Sequence, residues 1–191
     1  MTKLARNLTC GYSAVFVLLL VCILIRPAGL AANDGLSYFG AYATTIVPYS
    51  AAFLLNAYMY WRAGQQVKSP KYLGPSLKIM AVMLVGLVLT PHTLLDPIHT
   101  VFGATLFSLQ LIMSAWLVIK NKFDRVDTGL VLSELFAGLM SFYYLPKLHG
   151  LLLQWQIIFQ VSFAALLVRV LDRGKGSHRP QKVELPAGTS D

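Results

Sequence analysis

Glu134 is the residue with the most chemistry to account for. It stands inside an apolar segment, Asp127 to Leu145, long enough to cross a bilayer. There a carboxylate costs about 2.5–3.5 kcal/mol even on lenient insertion scales, so something must compensate it. Seven residues from the start of that segment, at 1.5 Å each, put it about 10 Å deep. Asn56, Gln110 and Gln160 fall at similar depths when each is counted from the corresponding end of its own apolar segment. The expectation is a polar cluster between helices. It reads either as a proton- or substrate-handling carboxylate in a cavity, or as a neutral packing residue hydrogen-bonded across the helix interface.

A second group, His92, Asp96, His99 and His149, holds three of the four histidines and gathers toward the opposite ends of its segments. Imidazole and carboxylate suit zinc or copper, and equally an acid and a base for cleaving a lipid headgroup. The spacing is against a preformed site, because Asp96 and Pro97 separate His92 from His99 and no HxxxH or HExxH motif exists. The competing reading is of interfacial histidines that bond headgroups or water. Haem would need two axial ligands facing each other within the bilayer, and these lie at one edge. No kinase, P-loop, CxxC or serine-nucleophile motif is present, so no catalytic residue and no cofactor is assigned.

The elements that must position these residues follow from composition. Of 191 residues, 56% are hydrophobic and 13% charged, about half the charge that wets the surface of a soluble domain. The mean hydropathy of +0.61 points the same way. Cys10 and Cys22 sit twelve residues apart in one apolar segment, which excludes a disulfide scaffold. Six segments meet the requirement of about 20 mostly apolar residues: Leu8 to Arg26, Tyr38 to Trp61, Leu73 to Leu94, Ile98 to Ile119, Asp127 to Leu145 and Gly150 to Leu171. The fold expected is all-α, a polytopic six-helix transmembrane bundle over residues 1–171, with 172–191 as a polar, disordered cytoplasmic tail.

Charge sets the orientation. With the N-terminus inside, fourteen Lys and Arg residues lie on the cytoplasmic side and only Arg26 and Lys147 outside. Both termini are then cytoplasmic, and the net charge of +8 reads as topology and attraction to anionic lipid headgroups rather than a nucleic-acid surface. Lys3 and Arg6 ahead of an apolar run, with Gly29-Leu30-Ala31 beyond it, also fit signal-peptide grammar; the 19-residue length and the intervening Arg26-Pro27 favour an uncleaved first helix. The sequon at Asn7 would face the cytoplasm, where it is not used.

Other features carry structural expectations. Pro48, within the run Thr44 to Ser50, is expected to kink the second helix near mid-membrane. Gln154, Gln156 and Gln160 are expected to join helices. Gly103, Ala104 and Ser108 in the fourth segment, with Ala137, Gly138 and Ser141 in the fifth, are expected to let those two helices approach closely.

Ser37-Tyr38-Phe39-Gly40 after an acidic loop, and Pro97-Ile98-His99 followed by Phe102, Ala104 and Phe107, resemble the DRAM-type membrane proteins and their bacterial relatives of unknown function. The resemblance covers the six helices and not the tail. It implies a six-helix bundle and lipid-linked physiology, and maps His99 alone. The function expected is that of a non-enzymatic integral membrane protein that contacts lipid or a protein partner, a second copy of itself included. The alternatives are a transporter using Glu134, or an enzyme or metalloprotein using the His/Asp group.

Overall fold

The computed structural model describes residues 1–67, 71–120, 124–144 and 150–173, and every regular element among them is helical. Six α-helices follow in order: α1 Lys3–Ile25, α2 Ile46–Gln66, α3 Leu73–Leu89, α4 His92–Lys120, α5 Arg125–Tyr144 and α6 Leu152–Arg173. Two 3-10 stretches, Pro27–Ala31 and Gly35–Ala41, lie between α1 and α2. Three helices are long and apolar enough to cross a membrane: α1, α4 from Thr93 onward, and α6. α3 is equally apolar but only 17 residues long. α2 and α5 have spanning length, 21 and 20 residues, but their hydropathy is diluted by residues such as Asn56, Asp127 and Glu134.

α1 shows how the sequence makes these helices. Thr2 caps it, its Oγ1 accepting from the Ala5 N–H at 3.1 Å. Ala5, Leu8, Tyr12, Val15, Leu19 and Cys22 recur every three or four residues and form its buried stripe. Val17, Leu20 and Leu24 on the other face are exposed although apolar, as a lipid-facing surface requires. Pro27 follows the helix and opens the first 3-10 stretch.

Neighbouring helices pack in pairs. α2 and α3 approach at Gly64 and Gly74, where a Cβ on Gly74 would stand 2.9 Å from the Gly64 carbonyl. α5 packs chiefly on α6, with the Ser162 hydroxyl donating to Ser133 at 3.0 Å. The Thr2 N–H donates to the Asp172 carboxylate, so the start of α1 and the end of α6 share one end of the molecule, here the terminal end. The 3-10 stretches occupy the other, the loop end.

Several boundaries differ from expectation, among them the start of α1 at Lys3 rather than Leu8 and the end of α2 at Gln66 rather than Trp61. Residues 38–41 continue a 3-10 stretch, and α2 begins only at Ile46, after Thr45 Oγ1 donates to the Phe39 carbonyl at 2.7 Å. Pro48 therefore lies in the first turn of α2, where its missing N–H breaks no intrahelical bond, and no mid-helix kink arises. α3 ends at Leu89, and α4 begins at His92 across a break at Leu95 (φ −133°, ψ 43°), two residues before Pro97. α6 runs on to Arg173; the rest of the expected tail, 174–191, and His149 lie outside the described residues.

Candidate functional site

A cavity of about 490 Å³ opens among the helices, reaching from the 3-10 stretch 35–41 at the loop end toward the middle of the molecule. Its walls are mostly apolar, with Val15 and Phe16 from α1, Phe53 from α2 and Leu111 from α4. On the α5 side Leu139 and Phe142 line it while remaining 59% and 71% exposed, so it opens to the exterior along that helix. The small residues Gly103, Ala104, Ser108, Gly138 and Ser141 also line it. This corrects the expectation that they draw α4 and α5 together: Gly138 faces Phe159 of α6, and the volume the missing side chains leave is cavity.

At the inner end of the cavity stand Asn56, Gln160 and Tyr12. Gln160 and Gln110 form a reciprocal amide pair, each Nε2 donating to the other's Oε1 at 3.1 Å. Gln110 also donates to the Tyr60 hydroxyl at 3.3 Å, and Tyr12 donates to the same hydroxyl at 3.1 Å. Four helices, α1, α2, α4 and α6, are thus joined through one buried chain of polar groups. Asn56 Oδ1 is buried beside it without a hydrogen-bond donor among the described residues.

Glu134 belongs to a neighbouring arrangement. It is wholly buried, and its Oε1 accepts from Ser114 Oγ at 3.0 Å, one turn of α4 beyond Gln110. It does not line the cavity, and it makes no hydrogen bond to Asn56, Gln110 or Gln160 among the described residues. Lys78 of α3 and Arg169 of α6 are engaged elsewhere. Lys78 Nζ lies 5.8 Å from the Trp61 ring centre, and Arg169 bonds Asp127.

That second bond is part of an ionic group absent from the sequence reading. Asp127, wholly buried near the start of α5, accepts from Arg169 Nε at 2.9 Å and from Arg173 Nη1 at 2.7 Å. Asp124 lies 3.4 Å from both guanidinium groups. Two acids and two bases balance, which makes burial of Asp127 tolerable. The backbone N–H of Asp127, followed by Arg173, holds the Asp124 carboxyl below its ordinary range.

At the loop end, His99 is buried with both ring nitrogens engaged. Nδ1 lies 2.6 Å from the Thr90 carbonyl, which can only accept, so Nδ1 carries the proton. In the neutral imidazole Nε2 is then the acceptor for Ser37 Oγ–H at 2.7 Å. Asp96 and His99 line the cavity mouth, and Thr100 donates to Asp96 at 3.4 Å. His92 opens α4, and His149 lies outside the described residues. Among the described residues no three His, Cys, Asp or Glu side chains are grouped to hold a metal ion. No family model, curated protein or solved structure matches this chain.

The α6 glutamines divide their work. Gln160 joins helices, but Gln154 donates to the Leu30 carbonyl at 2.8 Å and Gln156 accepts the Leu36 N–H at 2.8 Å, so these two hold the 3-10 stretches over the cavity. Gly35 permits this: its φ is +55°, and a Cβ there would come within 2.3 Å of Gln156 Oε1.

Proposed function

We propose that this chain is a six-span membrane protein, both termini cytoplasmic, that binds one amphiphilic lipid molecule in the cavity between α1, α2, α4, α5 and α6. The cavity carries the reading. Its volume lies within the usual range for small-molecule sites, its walls are mostly apolar, and its charged and amide groups lie mainly toward its two ends. An amphiphile with a polar head at Asp96 and Thr100 and its chain between Phe53 and Leu111 matches that distribution. The exposed α5 wall supplies an entry from the surrounding lipid. The excess of Lys and Arg at the terminal end supports the orientation and attracts anionic headgroups there. Lipid-linked physiology is also what the DRAM-type resemblance implies.

Binding is favoured over proton-coupled transport because Glu134 stands outside the cavity lining. The test is equilibrium binding of a fluorescent single-chain amphiphile to the protein in nanodiscs. Ala104→Trp places a large ring in the cavity and is expected to weaken binding at least about tenfold, or 1.4 kcal/mol, without loss of thermal stability. Unchanged affinity in that variant would refute the site. Reporter fusions after Lys71, Lys122 and Asp191 should report cytoplasm, and fusions near Asn33, Leu95 and His149 the outside; a translocated C-terminus would refute the topology.

A further inference from the structure

Ser37 and His99 come from elements 62 residues apart, yet they make a 2.7 Å hydrogen bond on the cavity wall. The geometry is that of an activated nucleophile. His99 Nδ1–H is fixed by the Thr90 carbonyl at 2.6 Å, which selects the tautomer whose Nε2 lone pair faces Ser37 Oγ. A third group thus orients the base, and the base addresses the hydroxyl, the two relations that define a serine nucleophile irrespective of fold. His99 is buried, so it keeps this orientation, while Ser37 is half-buried and reachable from the cavity.

The pair also stands between two spaces. On one side is the 490 Å³ cavity; on the other a niche of about 20 Å³ is lined by Ser37, His99, Tyr49 and Ser50. That niche has room for about one oxygen-sized group. Tyr49, whose hydroxyl hydrogen-bonds Ser37, lines this niche, and its phenol is the kind of group that stabilises a developing oxyanion. From His99 to Leu111 the cavity follows 12 residues of α4, about 18 Å at 1.5 Å per residue, a length suited to an extended acyl chain.

We propose that Ser37 and His99 form a hydrolytic site for carboxylic esters of single-chain fatty acyl amphiphiles, an inference that rests on the amphiphile-binding reading of the same cavity. Ser37 Oγ bonds to the ester carbonyl carbon as its proton passes to His99 Nε2, and the carbonyl oxygen, now negative, sits toward Tyr49. The C–O bond to the alcohol breaks, and His99 returns the proton to the departing alkoxide. A water molecule then attacks the acyl-serine, its proton going to His99 and on to Ser37 Oγ. The sum is ester plus water giving fatty acid plus alcohol.

The test uses the full chain in nanodiscs with three probes: a fluorophosphonate bearing a dodecyl tail, 4-nitrophenyl laurate, and the dodecyl ether analogue that cannot be cleaved. Wild type is expected to bind the ether, to be labelled by the fluorophosphonate on the peptide containing Ser37, and to hydrolyse the laurate. Ser37→Ala and His99→Gln should each lower laurate turnover at least about 100-fold while the ether still binds. Tyr49→Phe should lower kcat about 100-fold with KM unchanged. Wild type that binds the ether but is not labelled at Ser37, or hydrolyses laurate no faster than Ser37→Ala, would overturn the hydrolytic site and leave amphiphile binding in place. Failure to bind the ether would overturn both. Because the labelled residue is identified in wild type, a variant that does not fold cannot rescue or sink the proposal.

Discussion

Replacing Gln110 and Gln160 by methionine, singly and together, tests the polar chain that joins four helices. Methionine keeps the length of the side chain and removes its donors and acceptor. Hydrogen bonds between membrane helices average about 0.6 kcal/mol. The two reciprocal bonds of the pair are then worth about 1.2 kcal/mol, and the Gln110 bond to Tyr60 adds about 0.6 kcal/mol. Gln160→Met should cost about 1.2 kcal/mol and Gln110→Met about 1.8 kcal/mol. Each single change also strands the partner amide, which raises its cost further. The double variant loses the same three bonds and strands no amide of the pair. Its cost should be no more than that of Gln110→Met, a coupling of at least about 1.2 kcal/mol. Reversible unfolding in mixed micelles, followed by the fluorescence of Trp61, Trp116 and Trp155, measures all four corners of the cycle. Additive costs, with coupling below about 0.3 kcal/mol, would refute the pairing.

Further outcomes follow from other contacts. Asp127→Ala strands two guanidinium groups that are 36% and 43% exposed, so the loss should be about 2 kcal/mol, below the 3–5 kcal/mol of a fully buried pair; the unfolding midpoint checks it. Asp124 is held below its ordinary value of 3.8, so the stability it contributes is complete above that value and falls away as pH drops below it; Asp124→Asn should flatten this acid limb in a pH series of melts. Gly74→Ala pushes a Cβ against the Gly64 carbonyl, backbone that cannot swing aside, and should cost about 1–3 kcal/mol in the same unfolding assay. Glu134→Gln keeps a carbonyl for Ser114 and should change stability by less than about 1 kcal/mol, whereas Glu134→Lys should fail to give monodisperse protein in detergent.

The helices were legible from hydropathy because apolar runs and their charged punctuation are strong local signals. The start of α2 was not, since an apolar run such as Tyr38 to Ala41 reads the same whether it coils as 3-10 or α; the deciding bonds come from Gln156 and Thr45. Counting depth from helix ends brought Gln110 and Gln160 level, and they meet. It also brought Glu134 level, but depth says nothing of azimuth, and Ser114 proved to be its partner. Charge counting saw Arg169 and Arg173 as topology signals and passed over Asp127 as a helix start. Small residues at positions 103–108 and 137–141 have the same composition whether two helices touch or stand apart. Ser37 entered the sequence reading only within a short motif, because nothing local ties it to a histidine 62 residues away.

The ionic group at the terminal end has a consequence for how the chain is made. Asp127 finds its partners 42 and 46 residues later, in what becomes the last turns of α6. At roughly 5–20 residues per second of synthesis, the acid waits roughly 2–8 s for its first guanidinium. During that interval Asp127 in α5 and Asp124 just before it lack the guanidinium groups that balance them, which disfavours settling of α5 in an apolar medium on its own. On the six-span reading, α5 and α6 are therefore expected to enter the lipid as one hairpin. With the ribosome stalled before residue 169, a cysteine placed in α5 should be labelled by a water-soluble maleimide, and with it stalled far enough beyond residue 173 to expose that residue, the cysteine should not be labelled.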